Sequence, residues 1–388
     1  MTLDLTSAAA AFEGSEDFTV GLEEEFALLD PETLSMVARY EDLRQAAEAD
    51  PLLGPSVAGE LIASEIEIRS GRGKDLSEAI SLQRQYRRRL FSVAESQGLS
   101  LGSTGTHPWS DYRDQQIIDT EHYQRVQDSL RYVAWRNNTF SMHVHVGING
   151  ADRAIAVCDR LRPVLPLLLA ISANSPFLDG RDSGLQSART QTFTKSFPRC
   201  GVPGAFQTWA AFADYVEFLV KTNSIVEFTQ VWWSVRPHIS FGTVEVRICD
   251  AQSTAAESEA LAALVVACVA QASRDYDEGR PAPPFLGGGA DLSASLIEEN
   301  MWRAIRYGLS GKMIDFGSGQ EFACAHLVGR LLDWTAPMRG ELGITPSFPE
   351  LNGAQRQRAM IEAGLSMQEI YTSVVAETRT SYSQEITL

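Results

Sequence analysis

Four short segments alternate apolar and ionisable residues, and this pattern constrains the fold of the 388-residue chain more than any other feature. In a β-strand, side chains two apart share a face. Across residues 140–148, Phe140, Met142, Val144, Val146 and Ile148 face one way, and Ser141, His143, His145 and Gly147 the other. Across 61–69, Ile62, Ile66 and Ile68 stand with Ser64, opposite Ala63, Glu65, Glu67 and Arg69. Across 242–248, Val244, Val246 and Ile248 oppose Thr243, Glu245 and Arg247. Across 18–29, Val20, Leu22, Phe26 and Leu28 oppose Glu23 and Glu25. Glu24 breaks the pattern by falling on the apolar side, where it requires either an arginine partner or a bulge that shifts the alternation.

These strands lie before residue 250, and helical patterns dominate after it. Such segregation predicts an α+β fold on a large, mainly antiparallel sheet with helices packed on its outer face. Residues 1–16 read as a flexible leader. Residues 17–388 read as a single catalytic domain whose C-terminal part, from about residue 290, is mostly helical. A helix is expected over 153–173 despite Pro163 and Pro166, and Pro237 is expected to separate two strands. The polar stretch 174–203 is long enough to be a functional loop or lid, and 279–289 reads as a Pro/Gly linker.

The net charge of −17 argues against a nucleic-acid partner, which selects for basic patches. The five cysteines are widely spaced and form no C-x-x-C, which suits a reducing compartment. No basic, apolar targeting segment opens the chain, and apolar runs such as 165–173 and 261–272 are shorter than a bilayer requires. The expectation is a cytoplasmic protein that acts on small molecules, without membrane partners.

The four ionisable faces carry five glutamates and two histidines against two arginines, and no lysine. An ordinary solvated face would mix its charges, whereas clustered carboxylates repel one another unless cations neutralise them. Hard, oxygen-rich sites suit Mg²⁺, with Mn²⁺ possible beside a histidine. The rival reading makes His143 and His145 zinc ligands of a hydrolase. There is no G-x-x-x-x-G-K-[ST] loop, no G-x-S-x-G and no G-x-G-x-x-G between strand and helix. Bound nucleotide would therefore have to be held by metals and arginines.

The ordered motifs resemble one family. They include Gly21-Leu22-Glu23-Glu24-Glu25-Phe26, Glu65-Ile66-Glu67-Ile68-Arg69, Gly105-Thr106-His107-Pro108 and Met142-His143-Val144-His145-Val146-Gly147. Further on come Ser172-Ala173-Asn174-Ser175-Pro176-Phe177, Trp232-Trp233-Ser234-Val235-Arg236-Pro237, Phe241-Gly242-Thr243-Val244-Glu245-Val246-Arg247 and the run from Glu299 to Leu309. Together they resemble the glutamate–cysteine ligase type 2 family of carboxylate–amine ligases, related to glutamine synthetase-like enzymes. The resemblance implies a funnel over the sheet, ATP and Mg²⁺, an acyl-phosphate route to an amide, amino-acid substrates and a possible homodimer. It implies metal ligands at Glu23, Glu25, Glu60, Glu67, His143 and Glu245, and catalytic arginines at Arg236 and Arg247. His107, His145, Arg189, Arg199 and Arg306 are candidates for binding substrate or ATP. A non-catalytic nucleotide- or metal-binding protein of the same fold is the other reading. The loop Phe197-Pro198-Arg199-Cys200-Gly201 departs from the family's W-P-R-x-G, which bears on substrate choice. His122, His238 and His326 have no assigned partners, and Trp232-Trp233 reads as core and groove wall.

Overall fold

The computed structural model describes residues 4–281, 283, 285–287 and 289–383. The main sheet contains β1 (Val20–Leu29), β2 (Val57–Ala58), β3 (Glu65–Arg69), β4 (Ser100–Gly102), β5 (Met142–Gly147), β6 (Val235–His238) and β7 (Thr243–Val246). Its order is β6-β7-β5-β1-β3-β2, with β4 also paired to β1, and every pairing is antiparallel. The fold is α+β, as the segregation of strands and helices predicts.

Alternation decides which face is buried. Val20, Leu22, Met142, Val144, Val146, Val244, Val246 and Ile248 enter one apolar core with the helices Ala151–Leu161, Leu165–Ser172 and Ala255–Asp277. Phe26, Leu28, Ile66 and Ile68 enter a second with the helix Leu76–Ser96. Burying each such side chain contributes about 1.5–3 kcal/mol, so a one-residue slip in register would be heavily penalised. The helix Ala255–Asp277 is long and apolar enough to cross a bilayer, but 89% of its most apolar window is buried against the sheet and neighbouring helices.

Glu24 keeps the regular alternation and points into this apolar layer. It is 4% exposed, and the partner is an arginine: Arg87 donates from Nε to Oε2 and from Nη2 to Oε1, both at 2.6 Å. Gln83 Nε2 donates to Oε2 at 2.8 Å, and the Ser258 hydroxyl also donates to the carboxylate. Burial opposes the charge on Glu24, but Arg87 outweighs it and holds the carboxyl below its usual range. Arg87 also reaches Glu259 at 3.1 Å, so one ion cluster pins two helices to the back of β1.

Four expectations need correction. Residues 5–13 of the expected leader form a helix, capped by Asp4 and held by fully buried Phe12. The helix expected over 153–173 divides at a 3-10 turn, Arg162–Val164, because prolines fit first turns and not interiors. Pro237 lies within β6 opposite Val244, an edge position where its missing N–H costs no ladder bond. The stretch 174–203 contains a π-helical turn, Thr190–Thr194, and short paired strands, and much of it is buried. The linker expected at 279–289 lies partly outside the described residues.

Removing one member of the Glu24–Arg87 pair leaves a buried charge unpaired. Arg87→Met is expected to cost about 3–5 kcal/mol in urea unfolding, and adding Glu24→Met should recover most of it. Equal stability of Arg87→Met and the parent would contradict this.

Candidate active site

Strand pairing converts the sequence alternation into a lattice of charged groups. Glu23 lies opposite Arg69 on one side and His143 on the other, and Glu25 lies opposite Glu67. His145 lies opposite Gly21 and Glu245, and Glu245 lies opposite Arg236. Directly opposed side chains on one face have Cβ atoms about 5 Å apart. These groups therefore meet in one cleft of about 280 Å³, lined by Glu23, Glu25, Glu60, Glu65, Glu67, His143 and Glu245, with Arg69, Arg189, Arg236 and Arg247.

Two groups within this lattice can each hold a cation. Glu23, His143 and Glu245 form one, and Glu25, Glu67 and His143 the other; in each, one ligand atom per residue lies within 4.8 Å of the rest. His143 belongs to both. Its Nδ1 is 2.9 Å from Glu23 Oε2 and its Nε2 is 3.8 Å from Glu25 Oε1. Ser141 Oγ donates to Glu25 Oε2 at 2.7 Å and lies 2.8 Å from His143 Nε2.

The electrostatics divide the cleft in two. At the arginine end, burial opposes charge on Glu245, but Arg236, Arg247 and His145 hold its carboxyl well below the usual range. Burial likewise opposes charge on Glu23, and His145 and His143 outweigh it. At the other end the carboxylates crowd one another, and half-exposed Arg69, 3.4 Å from Glu67, does not offset them. Burial, with Glu25 and Glu67 among the neighbours, pushes Glu65 well above the usual range, and burial with Glu23, Glu60 and Glu25 does the same to Glu67. Glu60 is raised to about 7, by burial first and Glu25 next. Glu65 is 1% exposed, and its Oε2 has no hydrogen-bond partner. An orphaned buried oxygen among mutually repelling carboxylates fits a site for a hard divalent cation.

The arginines differ in what they can still reach. Arg236 Nε donates to Glu245 Oε2 at 2.5 Å, Nη2 to Oε1 at 3.3 Å, and Nη1 to the Val231 carbonyl, so Arg236 braces Glu245. Arg247 donates from Nη1 to Glu245 and lies 3.3 Å from His143 Nδ1. Among the described residues its Nε and Nη2 have no hydrogen-bond partner, which leaves donors for an anion in the cleft. Arg189 lines the cleft but donates both Nη groups to backbone carbonyls.

Several expected site residues lie elsewhere. His107 is fully buried, with Nε2 2.7 Å from the Leu34 carbonyl and Nδ1 accepting from Trp109 and Ser110 N–H. It braces a turn. Arg199 donates Nε to the Gln230 carbonyl and is not among the cleft-lining residues. Arg306 donates to the Gly184 carbonyl on the outer surface. His145 lies in the lattice beneath Glu23, with Nε2 3.2 Å from Glu23 Oε1, but belongs to neither cation group.

Other cleft residues were not assigned to the site by sequence, apart from Trp232, which was read as groove wall. Arg69 stands half-exposed beside Glu67, and its place on the polar face of β3 was the available signal. His122 lines the cleft and pairs with Glu227 at 2.8 Å. His238 lines it too, stacked on Phe241 at 4.2 Å. Phe193, Phe197 and Trp232 form an aromatic wall, with centroids 4.3 Å and 5.6 Å apart in sequence order. The parallel pairing of Cys200–Gly201 with Trp232–Trp233 brings that wall together.

This sheet of carboxylates and arginines has clear relatives. Residues 19–377 match glutamate–cysteine ligase family 2 (GCS2), and the chain belongs to that family of carboxylate–amine ligases. A Sorangium cellulosum relative, provisionally named glutamate–cysteine ligase 2, is 39% identical over 317 residues, covering 82% of each chain. A Solibacter usitatus relative of the same provisional name is 35% identical over 368 residues, covering 93% of each. Among solved structures, the glutamate–cysteine ligase of Francisella tularensis in complex with AMP superposes with a TM-score of 0.65 at 10% identity, covering 95% of this chain and 91% of that one. A bifunctional glutathione synthetase of Pasteurella multocida gives 0.66 at 13% identity, covering 97% of this chain and 54% of that one. At such identities the two likenesses concern the fold.

The raised acids set a pH dependence. A carboxyl whose folded pKa is raised binds more protons folded than unfolded, so stability falls as pH rises between the two values. For Glu60 that window runs from about 4.5 to about 7. In chelator-treated protein, the melting temperature of the parent relative to Glu60→Gln is expected to fall across this range, and Glu65→Gln should raise the melting temperature at pH 8. A parent that gains on Glu60→Gln as pH rises in scanning calorimetry would contradict the assignment.

Proposed function

We propose that the chain uses ATP to join a carboxylate to an amine, with glutamate and cysteine as the nominal pair. The observation that carries this reading is His143, shared by two carboxylate-rich cation groups beside an arginine with open donors. The name of the Francisella structure, which holds AMP, supports a nucleotide in a site of this fold.

The chemistry would proceed in two stages. A substrate carboxylate oxygen attacks the γ-phosphorus of ATP, ADP leaves, and an acyl phosphate remains. The amine nitrogen then attacks the acyl carbon, the C–O bond breaks, phosphate departs and the nitrogen loses a proton. Mg²⁺ held by Glu23 and Glu245, and by Glu25 and Glu67, with the one unprotonated nitrogen of His143 serving one of the two positions, would neutralise the phosphate charge. The protein needs no nucleophile of its own, because phosphoryl transfer depends mainly on positioning and charge neutralisation. Arg247 directs its free N–H groups at the charge that grows on the transferred group. Arg236 keeps Glu245 ionised and fixed in rotamer. The aromatic wall excludes water from the reactive intermediate.

The zinc-hydrolase reading requires His143 and His145 in one ligand set. Neither cation group contains both histidines, and each offers two carboxylates, which favours a hard ion. A non-catalytic binding protein would hold nucleotide without turnover.

ADP release measured with candidate acids and amines tests the proposal. Formation of ADP should require Mg²⁺, an acid and an amine together. Glu67→Gln and Glu245→Gln should each lower the rate by more than about a hundredfold while circular dichroism stays unchanged. Full activity in either folded variant would overturn the ligand assignment, and ATP binding without turnover on any acid–amine pair would favour the non-catalytic reading.

A further inference from the structure

The structure assigns Arg189 and Asp250 as a positioning pair that fixes Arg247 from behind. The inference rests on the ligase reading, in which Arg247 faces the transferred phosphoryl group. Arg189 lines the cleft, and two of its guanidinium N–H groups reach the backbone that follows β7. Nη2 donates to the carbonyl of Arg247 and Nη1 to that of Ile248, both at 3.1 Å. A guanidinium with two of its five N–H donors on consecutive peptide carbonyls sets the direction of that segment.

Asp250 holds Arg189 in turn. It is fully buried, does not line the cleft, and lies 3.6 Å from Arg189 Nη1. Its Oδ2 accepts from Asn174 N at 2.9 Å and from Ser175 Oγ at 2.7 Å, and its Oδ1 accepts from Ser187 Oγ at 2.9 Å. Ser175 Oγ then accepts from Arg189 N at 3.1 Å. A single carboxylate thus ties the two ends of the 174–189 segment to the segment that carries Arg247. Gly105 packs directly on it, since a Cβ there would lie 2.6 Å from Asp250 Cγ. Gly105 and the pair Asn174-Ser175, from two motifs without an assigned role, pack on this node.

Displacing a catalytic group by about 1 Å can cost about a hundredfold in rate. Arg189→Met should therefore lower kcat for ADP formation by about a hundredfold, with KM for ATP changed by less than about threefold. Arg189→Lys should not rescue it, because one ammonium cannot span both carbonyls. Combined with Arg247→Ala, Arg189→Met should slow the enzyme by no more than about twofold beyond Arg247→Ala alone, because both act through the same guanidinium. Losses that simply multiply, or a loss confined to KM, would overturn the pairing. Asp250→Asn should follow Arg189→Met if it folds, and the Arg189 variants decide the matter if it does not. Amide hydrogen exchange over residues 243–251, read by mass spectrometry on the whole chain, gives an arm independent of turnover. Exchange should quicken at least about tenfold in Arg189→Met, and unchanged exchange would overturn the inference. Wild-type protein without ADP formation, yet with quickened exchange in the variant, would count against the ligase reading and leave the structural pairing standing.

Discussion

Like charges crowded on one face of a sheet repel, and the rest of this structure makes that crowding tolerable. Glu23, Glu25, Glu65, Glu67 and Glu245 project from one face of the sheet, and Glu60 enters beside them. The repulsion is unequal. Arginines and histidines hold Glu23 and Glu245 ionised, while Glu60, Glu65 and Glu67 are pushed towards the protonated form. A site built this way gains free energy when a divalent cation arrives, because the ion supplies the charge that folding withheld.

The opposite face offsets the cost. Valine, isoleucine and leucine side chains lock the strands against helices, and the same register that buries them presents the acids. The Glu24–Arg87 cluster joins the two tasks. Its carboxylate sits between two cleft glutamates in sequence, yet its charge is neutralised by a helix on the far side of the sheet. Fold and site are thus set by a single alternation read from both faces.

That alternation was legible in the sequence because it is local: residues two apart must share a strand face. Family likeness added Glu60, which no periodicity marks. Contacts between distant segments were not legible. Nothing around Glu24 names Arg87, and nothing in residues 174–203 shows that Phe193 and Phe197 meet Trp232. Side-chain direction was equally hidden. His107, Arg199 and Arg306 belong to motif-like runs, but His107 and Arg306 turn to backbone carbonyls away from the cleft, and Arg199 turns to the carbonyl of cleft-lining Gln230. Arg189 reaches the cleft wall yet gives two of its donors to peptide carbonyls. Polar side chains satisfy the nearest buried backbone group, and which group is nearest depends on the tertiary fold. The N-terminal helix was missed for a related reason, since Phe12 anchors it only because a core surface is waiting.

The central claim is that two cation positions flank His143, which gives its one unprotonated nitrogen to one of them. Crystals soaked in Mn²⁺ with ADP, measured for anomalous scattering, test it most directly. The account predicts two peaks flanking His143, one beside Glu23 and Glu245 and the other beside Glu25 and Glu67. A single peak shared by His143 and His145, or none in the cleft, would contradict it.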